Sequence, residues 1–275
     1  MEPETQITFP IPTDNAAAAA VAEISNSFLP LYPLDQPLIQ VPVKKGIKEG
    51  LAQFATLTIR RPAEKELIER EKKSRPGLAQ ITKHESQVEG GDATADLELA
   101  TKLVVAIEGY NLHDGLPADE KRNVGPDNVQ KIPATLRLAA LAALYASTCE
   151  VWTLDLENGV AVVRQELGTG ADPDFILLHT MDISDEALRT QFKRQTQQVL
   201  VNSKDPRVQR QSVRLNLAKI VEFYNRYFLD LEGASIGGEA YHVGLKGQAL
   251  ALLDAYYKRQ VMMALTTALE EGLQD

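Results

Sequence analysis

The sequence is poor in several things that would narrow its chemistry. Cys149 is the only cysteine, so no intrachain disulfide forms. It follows the stretch Ala139-Ala140-Leu141-Ala142-Ala143-Leu144-Tyr145-Ala146 with no histidine nearby, and reads as a small buried apolar residue. No apolar run reaches the roughly 18 residues of a membrane-spanning helix, so no membrane association is expected. Positive charge is outnumbered. Lys and Arg total 29 against 38 Asp and Glu, a net charge of −9, which makes a general nucleic-acid binder unlikely on charge alone, because phosphate neutralisation needs cations. Histidine is scarce, with four in 275 residues. What is present is the balance of a globular chain, 44% hydrophobic and 24% charged, long enough for one large domain or two ordinary ones.

Along the chain, residues 1–27 read as a flexible N-terminal arm. They carry Pro3, Pro10 and Pro12, then an alanine run with little to bury. Glu2 and Glu4 make the start acidic, unlike a signal peptide. From Leu38 the text reads as a hairpin. Leu38–Val43 is extended, residues 44–50 form a polar turn, and residues 54–60 alternate with Ala55, Leu57 and Ile59 on one face. Pro62 opens a charged helix over 63–73. A longer helix is expected over 94–108, stopped by Gly109, and an apolar one over 133–148.

The second half repeats this order. A hairpin at 151–166 turns at Asn158-Gly159, followed by a strand at 175–180 and a helix opened by Ser184. One helix is expected from Asp205-Pro206 to Leu231, and a last one over 245–269. The halves align with Phe54, Leu57 and Leu67 on Phe175, Leu178 and Leu188 at an offset of 121. Glu108-Gly109 falls on Glu232-Gly233 at 124, and Ile132 and Tyr145 on Val243 and Tyr256 at 111. The fold class is therefore α+β. Two similar units, 28–149 and 150–275, each hold a small antiparallel hairpin followed by about three helices. They pack through the apolar helices 133–148 and 245–269 as a joint core.

No catalytic, cofactor or metal signature emerges. His84, His113, His179 and His242 lack metal-ligand spacing, and His113-Asp114 reads as a solvated loop pair. The glycines from Gly233 to Gly238 do not fit a phosphate-binding loop, and read as a helix stop and connection. The local feature that stands out is basic: nine Lys/Arg between Arg189 and Arg226 against Asp205 and Glu222. Arg207, Arg210 and Arg214 are placed on one helix face. They are candidate partner-binding residues for an acidic surface or another copy of the chain.

The segment PLIQVPVKKGIKEGLAQFATLTIRRPAEKELIERE resembles the small tail assembly chaperones of Mu-like contractile-tailed phages. The resemblance lies in the basic turn Lys44-Lys45-Gly46 and the strand end Thr58-Ile59-Arg60-Arg61-Pro62, and covers residues 38–110. It adds Arg60 and Arg61 as candidate partner contacts. It implies a non-catalytic assembly factor that binds other tail proteins such as the tape measure, in the host cytoplasm or retained in the virion, with no cofactor. The chain is longer than such chaperones, and its second half has Met181-Asp182-Ile183 in place of Arg-Arg-Pro. A structural tail, baseplate or neck protein and an enzyme of unrecognised type are the other readings.

Overall fold

The computed structural model describes residues 31–48, 51–73, 78–81, 86–89, 94–110, 122–145, 148–167, 176–186, 189–190, 198–201, 209–214 and 216–272. The expected arm, Arg207, His84 and His113 lie outside these residues. The fold is α+β.

After the short strand β1 (Tyr32–Pro33), the first half opens with a long hairpin of β2 (Leu38–Lys48) and β3 (Leu51–Arg60). The expected polar turn at 44–50 is largely strand, with a bulge between Lys44 and Gly46. Alternation holds as read: Ala55, Leu57 and Ile59 are buried. Then come α1 (Glu64–Lys73), β4 (Leu78–Ile81), β5 (Ser86–Glu89), α2 (Thr94–Leu103), β6 (Val104–Glu108), β7 (Arg122–Asn123), the single turn α3 (Pro126–Val129) and α4 (Ala134–Leu144). The expected helix 94–108 thus stops at Leu103, and the chain passes directly into a strand that pairs with β3.

The second half holds β8 (Cys149–Asp155), β9 (Val160–Glu166), β10 (Ile176–Asp182), β11 (Gln198–Val201), β12 (Gln209–Arg214), α5 (Leu217–Tyr227), β13 (Phe228–Glu232), β14 (Ala234–Ile236) and β15 (Glu239–Ala240). A 3-10 turn (Val243–Leu245), α6 (Lys246–Leu252) and α7 (Ala255–Glu271) complete it. Two expectations are corrected here. The helix drawn from 205 to 231 is instead strand, helix and strand. Residues 209–212 pair with β4, and Asn216 caps a new helix by accepting from the Lys219 amide at 3.2 Å. The last helix is interrupted at Leu253-Asp254, where Asp254 accepts the amides of Tyr256 (2.9 Å) and Tyr257 (3.1 Å) and restarts the helix as its N-cap.

The main sheets run β2-β3-β6-β7 and β8-β9-β10-β13. They share one register. Ile39, Val41 and Val43 face Ile59, Leu57 and Ala55. At 122 residues further on, Ala161, Val163 and Gln165 face Met181, His179 and Leu177. The third strand matches too. Ile107 and Val104 face Leu57 and Ile59 across a bulge at Thr58/Ile59, as Leu231 and Phe228 face His179 and Met181 across a bulge at Thr180/Met181. Gly109 and Gly233 close these strands at φ +73° and +77°.

The offset of 121 read for the strands is therefore one residue short. Side chains alternate faces, so a one-residue slip would set buried Leu57 on half-exposed Leu178. The offset of 111 for the closing helices is corrected to 121. Leu136, Arg137, Ala140, Leu141 and Leu144 of α4 correspond to Tyr257, Lys258, Val261, Met262 and Leu265 of α7, and all ten are buried. The buried cation recurs. Arg137 donates to the Ile132 carbonyl (3.1 Å), and Lys258 to Glu64 (3.0 Å) and the Leu250 carbonyl (2.7 Å).

The expected joint core between helices 133–148 and 245–269 is also corrected. There are two apolar clusters. One gathers Val41, Leu57, Leu103, Ile107 and Leu141, with Leu217 and Val221 of α5 reaching into it. The other gathers Val163, Leu177, Met181, Phe228 and Leu265, with Tyr32 and Leu34 from the start of the chain. Most of each closing helix's buried stripe joins the cluster of its own half, while Ala255 at the start of α7 joins the first cluster. The outer sides of α4 and α7 are left facing a common cleft.

Candidate functional site

Helix α4, ATLRLAALAAL, carries no charge besides Arg137 and is apolar on nearly every side. A helix of that kind has more apolar surface than one core can cover. Its inner stripe is buried, and Leu138 and Ala142 remain on the outside. Helix α7 likewise shows a second stripe, Tyr256, Gln260, Met263, Ala264 and Thr267, at helical spacing beside the buried one. These two stripes wall a cleft of about 790 Å³. Tyr145 and Cys149 contribute to its lining, and Arg70, Asp96 and Arg259 stand at its polar rim.

The junction is tied where α4 ends beside the start of α7. The Tyr257 hydroxyl donates to the Leu144 carbonyl (3.1 Å), and the Gln260 amide donates to the Tyr145 carbonyl (3.2 Å). Tyr145 meets Tyr256 edge-on, with ring centroids 4.4 Å apart. The Arg70 guanidinium is bonded to Asp96 and to Glu71 (3.0 Å) and lies 5.6 Å from the Tyr256 ring centroid, so it is held inside the fold. The Tyr145 and Tyr256 hydroxyls are buried and without a hydrogen-bond partner. Burial raises the pKa of both phenols, so both stay protonated and able to donate. Burial also pushes the Cys149 thiol up to about 12, which keeps it protonated at neutral pH and a poor nucleophile. The cleft thus offers a mainly apolar trough about 16 Å long, from Tyr256 to Thr267 at 1.5 Å per residue, with Gln260 and Thr267 as polar residues in its wall.

The residues singled out in the sequence fall elsewhere. Arg60 forms a two-pronged pair with Glu66 (2.6 and 2.8 Å), whose carboxylate also accepts from the Ala63 amide (3.0 Å). The hydrogen bond from Arg60 holds the Glu66 carboxyl below its usual pKa. Arg61 donates to the Gln36 carbonyl (3.0 Å) and to the Tyr32 hydroxyl (2.6 Å) and covers the Tyr32 ring. These two arginines lock the end of β3 to α1 and to the 32–36 segment at β1. Arg210 and Arg214 are strand residues of β12, opposite Gln80 and Gln198, so the shared helix face drawn for them does not exist. Arg60 and Arg61 are not among the residues that line the cleft.

His179 is fully buried beside the Tyr224 hydroxyl, and burial lowers its pKa to about 3. His242 is exposed, 3.4 Å from Glu239. The Gly233–Gly238 run is strand and turn, and the Gly237 amide donates to Asp35 (2.8 Å). Among the described residues, no group of three or more His, Cys, Asp or Glu is placed to hold a metal, and no helix is long and apolar enough to cross a membrane. The cleft residues were missed because an apolar stripe on a helix reads as core. The signal that marks them is excess: α4 carries more apolar residues than one core stripe uses, and α7 adds Tyr256, Met263 and Ala264 outside its buried stripe. Comparison with family models, curated proteins and solved structures finds no match to this chain.

Proposed function

We propose that the chain is a tandem of two copies of one unit, acting as a non-catalytic assembly factor. In this role it holds an apolar helical segment of a phage tail protein, such as the tape measure, in the cleft between α4 and α7. The observation that carries this reading is the cleft itself. Helices bind helices by laying an apolar face into a groove, with anchors at helical spacing. A trough some 16 Å long takes about three turns of helix, and the rings of Tyr145 and Tyr256 form part of its wall. The Mu-like chaperone resemblance at residues 38–110 names the client class. The equal registers of the two halves support the tandem, since bulges at corresponding positions are features that related units keep. A second reading, a structural virion component, draws on open sheet edges in the same molecule.

The test is co-expression with the tape-measure protein. The wild-type chain should keep that protein soluble and co-elute with it on gel filtration. Ala142→Glu with Ala264→Glu places two carboxylates on the outer faces of α4 and α7, where neither side chain belongs to a buried cluster. The double variant should fold normally and bind at least about 100-fold more weakly, because each charge loses its water when an apolar helix covers it. Undiminished binding by the folded double variant rejects the cleft as the site.

A further inference from the structure

The two short hairpins β4-β5 and β11-β12 meet in one sheet of order β11-β12-β4-β5. In the tandem reading they are equivalent parts of the two halves. Leu78 faces Glu89 and Ile81 faces Ser86 in the first. Gln198 faces Arg214 and Val201 faces Gln211 in the second, 120 residues on for the leading strand and 125 for the trailing one. The junction between them is not self-complementary. The trailing strand of the second hairpin, β12, pairs with the leading strand of the first, β4, as Gln211 opposite Ala79 and Ser212 opposite Leu78. A contact that joins unlike edges of like units leaves one edge of each kind over. Among the described residues these are the trailing strand β5 and the leading strand β11, each with a neighbour on one side only.

We propose that copies of this chain join head to tail by pairing β5 of one molecule with β11 of the next, in the register that β12 and β4 use inside one molecule. The occupant is a second copy because the chain already contains the matching pair of edges, in antiparallel register. Carried across by the same offsets, that register sets Gln87 opposite Gln198 and Ser86 opposite Val199 of the neighbour. Open edges invite strand pairing, and this pairing uses up both. Because the contact is heterologous, it generates a ring if the rotation closes and a filament if it does not. The inference does not use the helix cleft, but it rests on the tandem reading of the chain proposed above.

The test uses the full chain with Cys149 replaced by alanine, carrying either Gln87→Cys or Gln198→Cys. Opposed residues on antiparallel strands have Cα atoms about 4.5–5.5 Å apart, within disulfide reach. After mild oxidation a mixture of the two variants should give a cross-linked dimer, and either variant alone should not. The double variant Gln87→Cys/Gln198→Cys should give a ladder of covalent multimers. Native mass spectrometry of the unaltered chain at about 100 μM should show species above the monomer. A strictly monomeric unaltered chain overturns the proposal, as does cross-linking of Gln87→Cys with itself. Absence of the mixed dimer from two variants with wild-type circular dichroism overturns it as well.

Discussion

Alanine at position 159 should cost the protein about 3 kcal/mol of stability, read as a lower urea midpoint with an unchanged slope. Gly159 ends the four-residue loop between β8 and β9, where Asp155 accepts from the Asn158 amide at 2.9 Å. Its φ is +68°, a conformation that costs an ordinary residue about 1–2 kcal/mol. A Cβ there would also overlap the Ser184 Cβ and stand 2.7 Å from the Ser184 Cα and 2.9 Å from the Ser184 nitrogen, an overlap with backbone that cannot rotate away. Relieving it means moving the 182–184 segment, whose Ile183 amide donates to the Gly159 carbonyl at 2.9 Å, and overpacking of this sort costs about 1–3 kcal/mol. Gly237→Ala is the internal control. Its φ is +62° but nothing lies within 4 Å, so only the conformational cost of about 1 kcal/mol should appear. Equal losses from the two substitutions would show that the Ser184 contact is absent.

Asp254→Asn should make the protein more sensitive to acid than the wild type. Two fully buried groups titrate against each other. Burial lowers His179 to about 3, below its unfolded value near 6.5. The unfolded chain therefore takes up a proton below pH 6.5 that the folded chain refuses, and stability falls on acidification by about 1.4 kcal/mol per pH unit. Burial raises Asp254 to about 6, above its unfolded value near 3.9. There the folded chain binds the proton first, so stability rises as pH falls from about 6 towards 4 and is lost as pH rises again. Over pH 6.5 to 4 the two effects are each of order 3 kcal/mol and oppose one another. Asparagine still accepts the Tyr256 and Tyr257 amides as an N-cap but does not titrate, so the variant should lose about 3 kcal/mol across that range. His179→Phe removes the opposite effect and should gain stability on acidification. Urea midpoints at pH 6.5, 5.2 and 4 measure both. Parallel profiles for wild type and Asp254→Asn would contradict the assignment.

The strands that alternate cleanly were legible in the sequence. Ala55, Leu57 and Ile59 point inward as their spacing says, and the hairpin around Asn158-Gly159 sits where its turn residues put it, though as a four-residue loop. The strands that follow helices without a break were not legible. Val104 and Ile107, like Phe228 and Leu231, are buried three residues apart because a bulge shifts the alternation between them. Three is also a helical spacing, so both stretches read as helix running on. The helix drawn through Asp205-Pro206 failed for a different reason. Residues 209–212 pair with β4, over a hundred residues earlier, and 211–214 pair with β11, and local propensity cannot register such partners. The likeness of the two halves was read at offsets of 121 for the strands and 111 for the last helix, whereas strand register and burial match at 122 and 121.

For the cleft, the sequence showed apolar helices and assigned them to a core. Only packing reveals that one stripe of each is used and the other is open. The arginines chosen as partner contacts show the reverse case. Arg60 and Arg61 look available in the sequence, and Glu66, Gln36 and Tyr32 occupy them in the fold.

The most direct measurement of the cleft is methionine methyl NMR. The chain has four methionines, and Met263 lines the cleft while Met181 and Met262 are buried in the core. With methyl-labelled methionine, addition of the tape-measure protein should shift or broaden the Met263 signal and leave those of Met181 and Met262 in place. A complex that forms with the Met263 signal unmoved would place the client elsewhere and contradict the account.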